Sequence, residues 1–196
     1  MRYAIVSDLN RCIGCLSCAV ACKLENDVQL GSCNIEVARI GPNPKNAGDR
    51  FPDVEMYFIP IMCQHCAEPD CVRVCPAEAC YKAEDGCVLI DKRKCDGCGL
   101  CVAACPYEVG YLHRHENVVQ KCNLCQHRVH AGLEPACVVQ CGGRALVFGD
   151  LDDPDSPAAT LIAAAGKDVY SLEDSGNHPT FRYILRNGKW RGHLAG

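Results

Sequence analysis

The chain has 196 residues, of which 19 are cysteine, and a formal net charge of −4 at pH 7. It contains no long run of like charges, so we expect no nucleic-acid partner. A disulfide scaffold is also disfavoured, because dense disulfide proteins are usually shorter than about 100 residues and an odd number of cysteines cannot all pair.

The first segment, MRYAIVSDLN, lacks the apolar core of a signal peptide. The longest apolar stretch elsewhere, LIAAA at 161–165, is too short to cross a bilayer. The sequence therefore predicts no direct membrane span. Its expected location is the cytoplasm, or the far side of a membrane after export as a folded complex with a signal-bearing partner. Peripheral attachment to a membrane is compatible with both.

In chain order, the cysteines form four groups. The first group is Cys12, Cys15, Cys18 and Cys22. The second group is Cys63, Cys66, Cys71 and Cys75. The third group is Cys95, Cys98, Cys101 and Cys105. The fourth group is Cys122, Cys125, Cys137 and Cys141. Such repeated short spacings suit thiolate coordination of metal better than a covalent framework.

The third group, closed by Pro106, has the spacing C-x2-C-x2-C-x3-C-P. In bacterial ferredoxins the first three cysteines of this run hold one [4Fe-4S] cluster and the fourth holds the neighbouring cluster. Four-cysteine zinc sites usually combine two C-x2-C pairs that lie well apart in sequence. The triplets in groups one and three therefore favour iron and sulfide. A zinc-stabilised interaction module without redox function is the alternative from another class.

The segments between the groups predict the topology. After Cys75, two alternating apolar strips flank Asp85-Gly86, which is a hairpin signal. Groups two and three then bracket one ferredoxin module, which leaves groups one and four to each other. The predicted fold class is α+β, with two ferredoxin-like 2[4Fe-4S] modules, one inserted in the other, short hairpins, short helices and many loops. The outer module comprises 1–52 plus 112–196 with a C-terminal extension, and the inserted module comprises 53–111.

Three cysteines lie outside the groups. Cys80 and Cys87 fall on the two arms of the predicted hairpin, where we expect them to pack as small hydrophobic residues. Cys33 is expected to be a bystander. We expect His65 and His127, which lie within groups, to pack or form hydrogen bonds near a cluster and not to ligate it.

Four basic residues near the groups have two possible roles, namely offsetting the negative charge of thiolate-ligated clusters or acting as ordinary surface cations. They are Lys23, Arg73, Arg128 and Arg144. The sequence has no phosphate-binding glycine loop, no serine-centred elbow and no open metal site with a base beside it. Residues 150–196, with a helix-like AATLIAAAGK, contain no cysteine and are expected to wrap the clusters or clasp a catalytic subunit.

A specific resemblance to a known family rests on the four cysteine motifs and on the segment that follows them. The motifs are CIGCLSCAVACK, CQHCAEPDCVRVCP, CDGCGLCVAACPY and KCNLCQHRVHAGLEPACVVQC, and the segment is ALVFGDLDDPDS. The chain resembles the four-cluster iron-sulfur subunit of the dimethyl sulfoxide reductase family of molybdopterin oxidoreductases. The resemblance implies a non-catalytic electron-transfer subunit with four [4Fe-4S] clusters. Gly142-Gly143 after Cys141, in place of a proline-containing turn, is the main departure.

The resemblance also implies four ligand sets. Cluster 1 takes Cys12, Cys15, Cys18 and Cys141. Cluster 2 takes Cys22, Cys122, Cys125 and Cys137. Cluster 3 takes Cys63, Cys66, Cys71 and Cys105. Cluster 4 takes Cys75, Cys95, Cys98 and Cys101.

In that family the clusters form a wire. Cluster 1 faces a large molybdopterin-containing catalytic subunit, with molybdenum or tungsten, and cluster 4 faces the external electron donor or acceptor. The resemblance therefore implies a partner at the cluster 4 end, either a membrane anchor subunit or a soluble electron carrier. The alternative is a polyferredoxin subunit of a hydrogenase, formate or carbon monoxide dehydrogenase system. The substrate of the catalytic partner and the direction of electron flow stay open.

Overall fold

A computed structural model describes residues 1–192. The chain forms small sheets, short helices and long connections, which is an α+β arrangement. The strands are β1 (Tyr3–Asp8), β2 (Ile35–Pro44), β3 (Val54–Met62), β4 (Cys80–Lys82), β5 (Val88–Ile90), β6 (Tyr111–His113), β7 (Val118–Gln120), β8 (Leu146–Asp150), β9 (Val169–Tyr170) and β10 (Arg182–Ile184). The α-helices are α1 (Ser17–Glu25), α2 (Asp70–Arg73), α3 (Leu100–Ala103), α4 (Gln126–Val129), α5 (Ala136–Val139) and α6 (Pro157–Ala165).

The largest sheet has four strands in the order β8-β1-β10-β9. Strand β1 precedes cysteine group one, and β8 follows group four. The two strands pair antiparallel, with Ser7 opposite Leu146, and the amide of Asp8 continues the pairing with the carbonyl of Ala145 at 2.7 Å. This pairing brings the first and last cysteine groups to the same end of the sheet.

Two short hairpins follow the inner groups. Strands β4 and β5 pair antiparallel after group two, and β6 and β7 pair antiparallel after group three. In the first turn, the Asp85 carboxylate accepts a hydrogen bond from the amide of Cys87 at 2.9 Å, and Gly86 has a φ of 83°. The hairpin predicted around Asp85-Gly86 is confirmed.

A longer hairpin, β2 with β3, connects groups one and two. Its register runs from Ile35 opposite Met62 to Pro44 opposite Val54, with an irregularity between Ile40 and Asn43. The sequence analysis did not predict these strands. The module boundary expected at residue 52 lies in the turn of this hairpin.

The helix predicted near the C-terminus is confirmed as α6. Ser156 caps it, since its hydroxyl oxygen accepts a hydrogen bond from the amide of Ala159 at 3.2 Å, and Pro157 occupies the first turn. The helix packs Ala158 and Ala165 against Val6 and Ile184 of the large sheet. It therefore covers one face of the sheet that holds groups one and four together.

Beyond α6, the chain returns to cysteine group two. The amide of Ala67 donates to the carbonyl of His178 at 2.8 Å, and the amide of Thr180 donates to that of Gln64 at 3.0 Å. This part of the C-terminal extension wraps a cysteine group, as predicted, whereas 193–196 lie outside the described residues. Within 1–192, no helix has both the length and the apolar character needed to cross a membrane.

Candidate metal centres

The first candidate centre is a cavity at the group-one loop. Among the residues that line it are Cys12, Cys15, Cys18 and Cys141. The loop turns tightly at Gly14, which has a φ of 68° and lies against Phe58 of β3. A Cβ atom at position 14 would stand 2.6 Å from that ring, so glycine is required there.

The fourth cysteine of this set, Cys141, comes from a segment distant in the sequence. The Cys141 sulfur accepts a hydrogen bond from the amide of Ala145 at 3.1 Å. Gly143 packs on the backbone of Arg11, and a Cβ at position 143 would lie 2.6 Å from that carbonyl oxygen. Close approach of two chain segments thus explains Gly143, whereas nothing lies within 4 Å of a Cβ placed at Gly142, the residue directly after Cys141.

The second set, Cys22 with Cys122, Cys125 and Cys137, is buried throughout. Burial raises the pKa of Cys122 and Cys137, and repulsion from neighbouring cysteine thiolates raises it further. Two side-chain amides approach this set. The Nδ2 of Asn26 lies 3.5 Å from the Cys22 sulfur and 3.6 Å from the Cys125 sulfur, and that of Asn34 lies 3.7 Å from the Cys22 sulfur.

The third set lines a second cavity. That cavity is bordered by Cys63, Cys66, Cys71 and Cys105, and also by Cys80 and Cys101. The buried side chain of Asn177, from the C-terminal extension, donates its Nδ2 to the Cys66 sulfur at 3.0 Å and to the hydroxyl oxygen of Tyr107 at 2.9 Å. Hydrogen bonds to cluster sulfur stabilise its negative charge and tune its potential.

Two sulfurs of the fourth set accept hydrogen bonds from backbone amides. The Cys75 sulfur accepts from the amides of Ala79 and Cys80 at 3.3 and 3.4 Å, and the Cys95 sulfur accepts from the amide of Val119 at 3.4 Å. Cys101 also lines the cavity of the third set. A hydrogen bond from the Cys80 thiol lowers the pKa of Cys101 to about 7 and raises the pKa of Cys80.

Several of the ligand thiols resist ionisation because they are buried. Burial raises the pKa of Cys18, Cys22 and Cys66 to about 11 and that of Cys71 to about 12. Iron binding would supply the compensating charge and release the thiol protons. Within residues 1–192, no three His, Cys, Asp or Glu side chains are arranged to hold a single metal ion. The first and third sets instead border cavities, and four cysteines around a cavity suit the donor set of a [4Fe-4S] cluster.

Exposure differs between the four sets. Cys15 of the first set and Cys98 of the fourth set are exposed. The second set is wholly buried, and the third set is buried or partly buried. Each set at an end of the expected wire therefore has one exposed cysteine, and neither middle set has one.

Among the other residues singled out from sequence, the predicted packing of Cys80 and Cys87 is confirmed. Cys80 and Cys87 are buried free thiols, and Cys33 is exposed. The fully buried His65 accepts a hydrogen bond at Nδ1 from the amide of Val88 at 2.9 Å. By contrast, His127 is exposed and lies 2.7 Å from the Glu25 carboxylate.

The basic residues proposed from sequence have other partners or lie at the surface. Lys23 donates to the carbonyl of Gln29 at 3.0 Å, and Arg128 pairs with Glu25 at 3.1 Å. Arg73 pairs with Asp70, and Arg144 is exposed. These contacts favour the ordinary surface role.

Sequence reasoning missed four residues that contact or approach cysteine sulfur. They are Asn26, Asn34, Lys121 and Asn177. Lys121 had a signal in the sequence, since it directly precedes the first cysteine of group four. Lys94 has the same position before group three, so that signal alone does not separate a partly buried lysine from an exposed one.

Comparison with known proteins agrees with this geometry. Residues 54–151 match the 4Fe-4S dicluster domain family. A tetrathionate reductase subunit of Salmonella typhimurium is 41% identical over 184 residues, which cover 93% of this chain and 72% of the relative.

Two further relatives are similar in extent. A putative dimethyl sulfoxide reductase iron-sulfur subunit of Halobacterium salinarum is 41% identical over 208 aligned residues, covering 93% of this chain and 79% of the relative. The thiosulfate reductase electron transfer subunit of Salmonella typhi is 44% identical over 156 residues, covering 79% of each chain. The four cysteine groups and these relatives together show that the chain belongs to the iron-sulfur electron-transfer subunits of the dimethyl sulfoxide reductase family.

Proposed function

We propose that the chain holds four [4Fe-4S] clusters in a row and conducts electrons between a molybdopterin catalytic subunit, with molybdenum or tungsten, and an external donor or acceptor. The ligands are the four cysteine sets. The chain itself performs no catalysis. The clusters supply the redox chemistry, and the protein sets their spacing, burial and hydrogen bonding.

The exposure of the cysteines is the observation that carries this proposal. A wire needs two clusters that partners can reach and intermediate clusters that are shielded from solvent. Cys15 and Cys98 are exposed, whereas the cysteines of the second set are all buried and those of the third set are buried or partly buried. The pattern matches the order in which the sets would stand along the path.

Contacts between neighbouring sets support the same order. Cys18 and Cys22 lie on one helix, α1, and belong to the first and second sets. Cys122 of the second set and Cys63 of the third set are close enough for their thiolates to repel each other. Cys71 and Cys75 bracket the end of α2 and belong to the third and fourth sets. Each step along the wire therefore has a short connection through the protein.

The inserted arrangement of modules is part of the proposal. The β1–β8 pairing, which brings groups one and four to one end of a sheet, supports an outer module of 1–52 plus 112–196. The β4–β5 hairpin, which joins groups two and three, supports an inserted module of 53–111. Exchange of fourth ligands within each pair of groups would tie both clusters of a module into one folding unit.

An apolar surface surrounds the exposed cysteine of the first set. Large hydrophobic side chains are exposed at Ile13, Leu16, Val20 and Leu24. Together with Val139 across the neighbouring groove, these residues form an exposed apolar patch beside Cys15. Contiguous apolar patches of this kind mark protein interfaces. We assign this surface to the catalytic subunit, so that cluster 1 would be the point of electron exchange with it.

The test is to purify the protein without oxygen, with its partners, and to measure iron, acid-labile sulfide and molybdenum or tungsten. The proposal predicts about sixteen irons and about sixteen sulfides per chain, four for each cubane cluster, and a large molybdenum- or tungsten-bearing partner. Zinc in place of iron would contradict the electron-transfer role. A nickel enzyme as the only partner would instead favour the polyferredoxin alternative.

A further inference from the structure

The boundary between the second and third cysteine sets contains a partly buried lysine, Lys121. Its side chain lines the cavity of Cys63 and Cys66, and it also lines the neighbouring cavity that contains Cys122. The ammonium group donates hydrogen bonds to the carbonyl oxygen of Val88 and, at 3.1 Å, to that of Cys122. These two carbonyl acceptors carry no formal charge, and the ammonium group also hydrogen-bonds to the sulfur of Cys63.

The surrounding sulfurs belong to two different sets. The Lys121 side chain lines the cavity bordered by Cys63 and Cys71, and it also lines the cavity that contains Cys122. Cys63 and Cys71 are ligands of the proposed cluster 3, and Cys122 is a ligand of the proposed cluster 2. The lysine is thus a cation placed between the two middle clusters.

A cation in this place has a definite effect on redox equilibria. Reduction adds an electron to a cluster that thiolates already make negative, and a nearby positive charge stabilises the reduced form. The effect is strong where little water screens the charges. Net charge near a cluster is one of the main determinants of its potential.

We propose that the positive charge of Lys121 raises the reduction potentials of both cluster 2 and cluster 3. An electron on the wire is therefore favoured at these two clusters, where the two modules meet. This inference rests on the proposed function, because it requires that the two cysteine sets hold clusters. It goes beyond that function by assigning a residue that ligates no iron to the energetics of the middle of the wire.

The chain offers a matched control. Lys94 precedes Cys95 just as Lys121 precedes Cys122, but Lys94 is exposed. Water and ions screen an exposed charge. Removal of the Lys94 charge should therefore have little effect on any cluster.

The experiment is an anaerobic redox titration, followed by low-temperature EPR, on the iron-loaded complex of the wild type and of Lys121→Met, Lys121→Gln, Lys121→Arg and Lys94→Met. Iron content is measured in each sample first. In Lys121→Met and Lys121→Gln, the ratio of reduced to oxidised cluster at fixed potential should fall about tenfold for two of the four clusters. That change corresponds to about 59 mV for a one-electron couple. Lys121→Arg and Lys94→Met should titrate like the wild type.

Unchanged potentials in the two neutral Lys121 variants, at full iron content, would overturn the proposal. Loss of iron from both neutral variants would overturn it as well, since the residue would then be needed for cluster assembly and not for potential. An equal shift in Lys94→Met would show that any nearby lysine has this effect. A wild-type protein without about sixteen irons would refute the proposed function itself, so the two failures are distinguishable.

Discussion

Groups three and four begin with similar sequences, but their first cysteine pairs differ in exposure to solvent. KCDGC at 94–98 opens the third group and KCNLC at 121–125 opens the fourth. Cys98 is exposed, whereas Cys122 and Cys125 are buried. The same lysine and the same C-x2-C spacing thus lead to a surface site in one region and an interior site in the other.

The packing around each loop accounts for the difference. Leu124, between the two cysteines of group four, is 1% exposed and belongs to the central core with Ile5 and Phe181. Leu100, just after the group-three loop, is 50% exposed. The cysteine spacing indicates which residues bind the cluster, and the elements packed over the loop decide whether a partner can reach it.

The largest expected difference comes from removing one cysteine in each region. Cys122→Ser should lose about four irons per chain, that is a whole cubane cluster, and should also destabilise the fold, since a buried unpaired hydroxyl costs about 1–3 kcal/mol. Cys98→Ser should affect only the surface cluster and leave the thermal unfolding temperature nearly unchanged. Iron analysis and thermal unfolding under argon measure both effects. Equal destabilisation by the two substitutions would contradict the assignment of group four to the interior and group three to the surface.

A second pair of variants separates packing from ligation. Leu124→Ala should lower the free energy of unfolding by about 2–5 kcal/mol, because it opens a cavity in the core. Leu100→Ala should change it by no more than about 0.5 kcal/mol, as is usual at the surface. Denaturant titration of the iron-loaded protein provides the values. If Leu100→Ala proved as costly as Leu124→Ala, the group-three loop would have to be buried after all.

A smaller effect is expected from removing the side-chain amide that donates a hydrogen bond to a sulfur of the third set. Asn177→Leu removes the hydrogen bond to the Cys66 sulfur and should lower the potential of cluster 3, with the reduced-to-oxidised ratio falling about three- to tenfold, because a hydrogen bond contributes about 0.5–1.5 kcal/mol. The control is Asn46→Leu, in the exposed tip of the β2–β3 hairpin. EPR-monitored titration measures both. A cluster 3 potential that stayed constant in Asn177→Leu would show that this amide does not tune it.

Local patterns in the sequence were enough for much of the fold. The alternation around Asp85-Gly86 predicted the hairpin, and the apolar run near 160 predicted α6. Both features depend on neighbouring residues, so a single sequence reveals them. The β2–β3 hairpin escaped prediction because Pro42, Pro44 and Pro60 interrupt its strands, and proline argues against a strand.

The parts of the site that sequence did not reveal depend on distant contacts. Asn177 stands 111 residues from Cys66 in the chain, and nothing in the local sequence relates the two. Lys121 and Lys94 occupy equivalent places in their motifs, but tertiary packing brings the carbonyl of Val88 to the ammonium group of Lys121. Ligand spacing is local, whereas the charges and hydrogen bonds around the sulfurs are set by the tertiary fold.

The most direct test of the wire is spin integration of the EPR spectrum of the fully reduced protein. Four [4Fe-4S] clusters in a row should give about four spins per chain, and clusters close enough to exchange electrons should show magnetic coupling between neighbours. About four coupled spins are the result that this account predicts. Two spins per chain, or four without any coupling, would contradict a continuous path from Cys15 to Cys98.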